Sequence, residues 1–273
     1  MLRSTKELEH YAIGATDGDI GRVKDFYFDD DAWVVRYLVV DTGSWLMGRT
    51  VLISPISIHE PDWLKRTLPV TITMEQVRNS PDIEAHRPVS RQNESLYHGY
   101  YGYPDYWGGA SMWGDRMDPY GLAPGHVDDG LTRPEQEREV QAYRDAERDR
   151  RRSDDPHLRS CNEVVGYRLH ARDGDVGHVE GFLLDDKTWA IRYLVVNTSN
   201  LWLGHKVLIA PPWLKDVSWD AQTVWVDLSR ESVKAAPDYV PGDQLSLEME
   251  IRLYEHYGRT WYGAGMGSLM SQF

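Results

Sequence analysis

Carboxylates are the first residues here whose type and spacing suggest chemistry. Asp17, Asp19, Asp29, Asp30 and Asp31 crowd one stretch, and Asp173, Asp175, Asp185 and Asp186 crowd another. Converging oxygens of this kind hold Ca²⁺ or Mg²⁺. The spacing, however, is not that of a twelve-residue calcium loop, and Asp17-Gly18 and Asp173-Gly174 are the dipeptides of tight turns. Asp17, Asp19, Asp29, Asp173, Asp175 and Asp185 are therefore the candidate metal ligands of a chain in which turn formation is the first expectation. Ten histidines are scattered without a His-x-x-x-His pair, so zinc is not expected. Cys161 stands alone, which excludes an intrachain disulfide and a multi-thiolate metal site. It also has no matched histidine partner for nucleophilic catalysis. The expectation is a non-enzymatic protein with no cofactor.

Two arginines and a set of aromatic residues suit recognition better than catalysis. Arg36 and Arg192 interrupt otherwise apolar runs at equivalent places. A buried arginine needs an anionic partner, and Asp25 or Asp29 could supply it at Arg36. Tyr97, Tyr100, Tyr101, Tyr103, Tyr106, Trp107, Trp113 and Tyr120 lie in one glycine-rich stretch, and Tyr254, Tyr257, Trp261 and Tyr262 in another. Such side chains carry large apolar area with a polar handle. They either pack on their own domain or face a partner. Arg36, Arg192, Tyr97, Tyr101, Tyr106, Trp107, Tyr254, Tyr257 and Trp261 are the interaction candidates.

Positioning these residues requires folded elements, and the composition permits them. The 273 residues are 41% hydrophobic and 27% charged, a globular profile. No apolar run approaches the length of a membrane-spanning helix. The stretch MLRSTKELEHYAIG lacks a signal peptide's apolar core, so a cytoplasmic location is expected, with peripheral membrane association as the variant. A net charge of −13, spread along the chain, opposes binding of nucleic acid through its phosphates. The basic triplet Arg150–Arg152 is diluted by acidic neighbours.

A long internal repeat organises the chain. The stretch DGDIGRVKDFYFDDDAWVVRYLVVDTGSWLMGRTVLISP from Asp17 reappears as DGDVGHVEGFLLDDKTWAIRYLVVNTSNLWLGHKVLIAP from Asp173, with 20 of 39 positions identical and no gap. The offset of 156 is too long for a solenoid. Trp33–Asp41 and its counterpart from Trp189 have strand composition, apolar on both faces. The preceding strand, from about Arg22 to Asp29, breaks strict alternation near Lys24–Asp25, which predicts a bulge. Short strands follow near Thr50–Ser54 and Leu68–Ile72, then a helix capped at Thr73 or Ser229. Close-spaced strands with turn punctuation predict small closed barrels. The aromatic stretches align at an offset of 157, Leu96-Tyr97 on Leu253-Tyr254. Thr132-x-x-Glu135 could cap a helix in the charged linker.

With its DGDIGRVKDFYFDDDAWVVRYLVVDTG…GRTVLISP pattern, and with the second copy, the chain resembles the PRC-barrel family, named after the photosynthetic reaction-centre H subunit. The resemblance covers about residues 4–107 and 160–262 and implies a small all-β barrel used as a protein-docking module. In the reaction centre that barrel packs on membrane subunits; in a ribosome-maturation factor a related barrel supports binding to a ribosomal protein. The resemblance carries over no catalytic residue.

The expected fold is therefore all-β: two tandem PRC-type barrels with short helices and aromatic extensions. The expected boundaries are 4–82 and 160–238 for the barrels, 83–120 and 239–273 for the extensions, and 121–159 for a charged linker. The expected function is protein interaction or scaffolding, with a protein partner and a homo-oligomer both open. The alternative is a peripheral factor of a reaction-centre-like membrane complex, followed by a ribosome or RNA-maturation factor.

Overall fold

The computed structural model describes residues 1–81, 91–107, 109, 111–120, 122–123, 157–198 and 205–261. The linker expected at 121–159, with its capping box and arginine triplet, lies almost wholly outside the described residues. The chain divides into two compact units. Unit 1 holds Arg3–Glu163 and the hairpin tip Leu184–Ile191; unit 2 holds Val164–Leu183 and Arg192–Phe273.

After β1 (Leu2–Ser4), unit 1 is built from α1 (Thr5–Leu8), β2 (Ala12–Ala15), β3 (Gly18–Asp29), β4 (Val34–Asp41), β5 (Thr50–Ile53) and β6 (Thr67–Pro69). The sheet order is β5-β4-β3-β2-β6. All of Val34–Val40 is buried, so β4 is the central strand its composition predicts. The expected bulge is present: β3 slips against β4 between Val23 and Asp25. The turn into β4 places Trp33 at φ 55°, a conformation costly for a bulky residue. Its N–H donates to Asp29 O at 2.7 Å, and Trp189 repeats the arrangement at φ 60°. Gly21 is required by close approach, since a Cβ there would lie 2.0 Å from Asp41 O.

After β6, α2 (Met74–Arg78) starts at a complete capping box between Thr73 and Gln76. The aromatic extension then forms α3 (Arg91–Tyr101), which is longer than the short helices expected. A further strand, β7 (Leu158–Ser160), pairs antiparallel with β3, Tyr27 facing Ser160 and Asp29 facing Leu158. It precedes α4 (Cys161–Val164). Thus the leader strand of the second repeat is built into the sheet of unit 1. Arg159 Nε donates to Asp30 at 2.9 Å and Ser160 Oγ to Asp25 at 2.5 Å.

The second sheet contains β8 (Arg168–Ala171), β9 (Gly174–Asp185), β10 (Ile191–Asn197), β11 (Lys206–Ile209), β12 (Leu214–Ser218) and β13 (Thr223–Val226). Its path runs β11-β10-β9-β8-β13-β12. It repeats the first at the offset of 156, including register. Ile13 faces Gly21 and Leu169 faces Gly177, and each pairing slips at the next residue. The helices α5 (Arg230–Lys234), capped by Ser229, and α6 (Leu247–His256), capped by Ser246, follow.

The ordered elements are mostly strands, but the expected closed barrels are corrected. Among the described residues neither strand path returns to its first strand. The physical reason is visible after β5 and β11, where Pro55 and Pro211 begin 3₁₀ turns and end the strands. In the second sheet the chain resumes as β12 and pairs with β13. In the first, the same register survives only as the single bridges Ile58–Val70 and Asp62–Thr67. Pro61, which has no N–H, stands there where Val217 stands in the second copy.

Candidate functional site

The acidic candidates are placed by the turns that contain them. Asp17 Oδ1 accepts from Met74 N and Asp173 Oδ1 from Arg230 N, both at 2.7 Å, so each begins a helix. Asp19 is exposed. Asp175 accepts from His170 Nδ1 at 2.6 Å, and this bond holds its carboxyl below the ordinary range. Asp29 Oδ1 accepts from the amides of Asp31 and Ala32, both at 3.1 Å. Asp185 Oδ1 accepts from the amides of Lys187 and Thr188 and from the Thr188 hydroxyl. Burial alone would raise the Asp185 carboxyl, but the Thr188 bonds bring it below its ordinary value. Asp29, Asp30 and Asp31 can bring one oxygen each within 4.8 Å of the others. Two of the three are already committed: Asp29 caps the turn and faces Arg36 at 3.6 Å, and Asp30 takes Arg159. Two residues so occupied and the exposed Asp31 do not supply the six or more oxygens of a calcium site.

Arg36 is buried, with Asp29 as its anion. Its Nη1 donates to Met112 O at 2.6 Å. The guanidinium lies 3.7 Å from the centre of the Tyr106 ring and 4.7 Å from that of Trp113. It therefore ties the aromatic extension to β4 through charge and stacking together. Arg192 is half-buried.

The extension is a packed layer with a polar centre. Glu94, on α3, is completely buried. It accepts from the Tyr106 hydroxyl, from Tyr37 Oη at 3.2 Å, and lies 2.7 Å from His157 Nε2. His98, one helical turn on, places Nδ1 at 2.9 Å from Pro104 O and Nε2 at 3.0 Å from Tyr37 Oη. The carbonyl assigns the proton of the neutral ring to Nδ1, so the one Tyr37 hydroxyl proton is shared between Glu94 and His98 Nε2. Burial holds the His98 imidazole below its ordinary pKa, against the pull of Glu94. Burial likewise raises Tyr37 far above the usual phenol range and Tyr101 to about 12. Tyr97 Oη donates to Leu52 O at 3.0 Å and accepts from Ser54 N at 3.1 Å.

Of the interaction candidates, Tyr97, Tyr101 and Tyr106 are thus buried within unit 1, and Trp107 is half-buried beside His98 and Tyr106. In unit 2, Tyr254 and Tyr257 are buried against Trp213, with ring centres 4.9 and 4.8 Å away, and Trp261 is half-buried. Glu250 accepts from Tyr193 Oη at 2.8 Å. This is the Tyr37–Glu94 bond moved by 156, so the offset of 157 read for the aromatic stretches is corrected to 156. A tyrosine match drew the alignment one residue off, whereas the buried glutamates carry the true register. Glu94, His98, His157, Trp213 and Glu250 were not identified from the sequence. At an offset of 156 the Glu94–Glu250 pair would have shown two of them.

Unit 1 also carries a pocket of about 580 Å³. Its floor includes Ile56, Ile58, Trp63 and Tyr120, and its rim includes Glu60, Arg116, Asp118, Asp186 and Lys187. Among the described residues no helix is long and apolar enough to cross a membrane.

Residues 7–72, covering α1 to β6, match the family model of the PRC-barrel domain. No curated protein matches the chain.

Proposed function

We propose that the chain is a non-enzymatic protein-interaction module built from two tandem PRC-type domains. The observation that carries this reading is the PRC-barrel match at residues 7–72, together with a second sheet of the same register 156 residues on. Two docking domains on one chain allow two weak contacts to act together, which raises avidity without a stronger interface. The acidic clusters support the non-enzymatic part, because Asp17, Asp29, Asp173 and Asp185 each spend Oδ1 on a turn or a helix start. So does the Glu94–His98 centre, whose enclosure leaves a substrate no approach to the carboxylate.

Crosslinking of the full chain in its native cells, followed by affinity capture and mass spectrometry, tests the reading. A reproducible protein partner crosslinked to both units is expected. Capture of nucleic acid or no macromolecule at all overturns it. Turnover of a small molecule by the purified chain would remove the non-enzymatic part.

A further inference from the structure

The pocket on unit 1 has a rigid floor and a rim with two charges left over, and this combination defines what it can hold. Its volume of about 580 Å³ suits a small ligand. Ile56 and Ile58 are buried beneath it. Tyr120 is fixed from three sides: its hydroxyl donates to Asp186 O at 2.9 Å and accepts from Trp189 Nε1 at 3.3 Å, and its amide donates to Asp118 Oδ1 at 3.1 Å. Trp63 is held by the Tyr11 ring at 6.3 Å and by the Arg3 guanidinium at 3.7 Å. Arg3 in turn donates to Asp186 at 3.3 Å. Walls so restrained are formed before any ligand arrives, which removes an ordering cost from binding.

The rim charges divide into two groups. Asp186 is neutralised by the Met1 ammonium at 2.6 Å and by Arg3, Asp118 is used in the Tyr120 turn, and the half-buried Arg116 is engaged. Glu60 and Lys187 stand exposed at the rim, on different elements, and the side chain of neither makes a hydrogen bond or ion pair among the described residues. Their signs are opposite. A ligand carrying one charge meets a repelling neighbour as well as an attracting one, whereas a ligand with both satisfies both.

We propose that this pocket binds a small zwitterion with an apolar body, the chemistry of a short apolar peptide. Its ammonium group meets Glu60, its carboxylate meets Lys187, and its side chains lie over Ile58, Trp63 and Tyr120. Lys187 occupies the position of Asp31 in the repeat, so this charge pairing belongs to one copy and not to the scaffold at large.

The test uses the full chain and the dipeptide Leu-Phe, titrated near neutral pH and followed by ligand-observed NMR. N-acetyl-Leu-Phe and Leu-Phe amide serve as probes that lack one charge each. Saturable binding of the parent dipeptide is expected, weakened about fivefold by either cap, about 1 kcal/mol for an exposed ion pair. Lys187→Gln is expected to abolish discrimination against the amide while keeping it against the acetylated peptide, and Glu60→Gln to do the reverse. Absence of saturable binding, indifference to the caps, or discrimination unchanged in the two variants overturns the proposal. The pull-down result is independent of all three outcomes.

Discussion

The aromatic layers of the two units start from the same bond and end as different interiors. In unit 1 Tyr37 meets Glu94, and in unit 2 Tyr193 meets Glu250. Around Glu94 the chain adds His98, Tyr106 and His157, and the carboxylate is fully enclosed. Around Glu250 the helix position of His98 is Tyr254, and the position of Ser57 is Trp213. Those two rings pack with Tyr257, and Glu250 keeps 8% exposure. The first copy surrounds its glutamate with polar partners, and the second surrounds it with rings packed edge-on and tilted, at 72° and 53°. A network stabilises only while every member is satisfied, whereas packed rings lose area in proportion to what is removed. The difference predicts unequal responses to equivalent substitutions.

The largest effect comes from Trp213→Ser, which gives unit 2 the residue of unit 1 and costs about 3–5 kcal/mol through lost ring contacts and the cavity left behind. A loss below about 1 kcal/mol would show that Tyr254 and Tyr257 do not depend on it. Next comes Glu94→Ala. It strands the buried Tyr106 hydroxyl and takes the partner from the half-buried His157 ring, while Tyr37 keeps His98 Nε2, and costs unit 1 about 2–4 kcal/mol. Glu250→Ala removes one acceptor at a partly open site and costs unit 2 about 1–2 kcal/mol. Hydrogen exchange read separately on peptides from each unit checks the ranking. Equal losses at the two glutamates would mean that the network adds nothing to the shared bond.

Much of this was legible before the fold was known, and the parts that were not share a cause. Strand positions, the bulge at Val23–Asp25 and the cap at Thr73 follow from local composition and turn chemistry, and the repeat doubles each signal. The open sheets follow from the strand ends at Pro55 and Pro211, which local patterning does not weigh against the pull of a barrel. The placement of β7 on β3 is a long-range pairing of three residues, too short for any periodic signal. Arg36 needed an anion, and the choice between Asp25 and Asp29 was open from spacing alone. Asp25 instead takes Ser160 and Asn162, from the far side of the linker. The glutamates at the centre of both layers carried no signal on their own, since glutamate in a helix is ordinarily a solvated residue.

Arg36→Lys sharpens the comparison at a smaller scale. Lysine keeps the charge near Asp29 but loses the flat contact with Tyr106 and Trp113 and the directed bond to Met112 O. A loss of about 2 kcal/mol is expected in unit 1. Arg192→Lys, at a half-buried position, should cost less than about 1 kcal/mol. A reversed order would place the anchoring arginine in the second copy.

The smallest effect is a dependence on pH that one unit has and the other lacks. His98 faces Tyr37 and Glu94, the Pro104 carbonyl, the Asp105 carboxylate at 3.9 Å, and the rings of Tyr103, Tyr106 and Trp107. Its folded pKa lies below the ordinary 6.5, chiefly through burial, while Glu94 and Asp105 oppose the shift and Arg36 adds to it. Above pH 6.5 both folded and unfolded forms hold the neutral ring, so the group adds no pH dependence. Below 6.5 the unfolded chain takes up a proton that the folded chain refuses, and unit 1 loses stability as the pH falls. The loss grows as the pH falls and stops growing once the folded ring itself protonates. Unit 2 has Tyr254 at this position and no such slope from it. Hydrogen exchange of the two units across pH 7.5 to 5.5 measures the difference, and His98→Gln is expected to flatten the slope of unit 1. If that variant leaves the slope unchanged, the acid sensitivity belongs to another group, and the buried imidazole is not what separates the two layers in their response to acid.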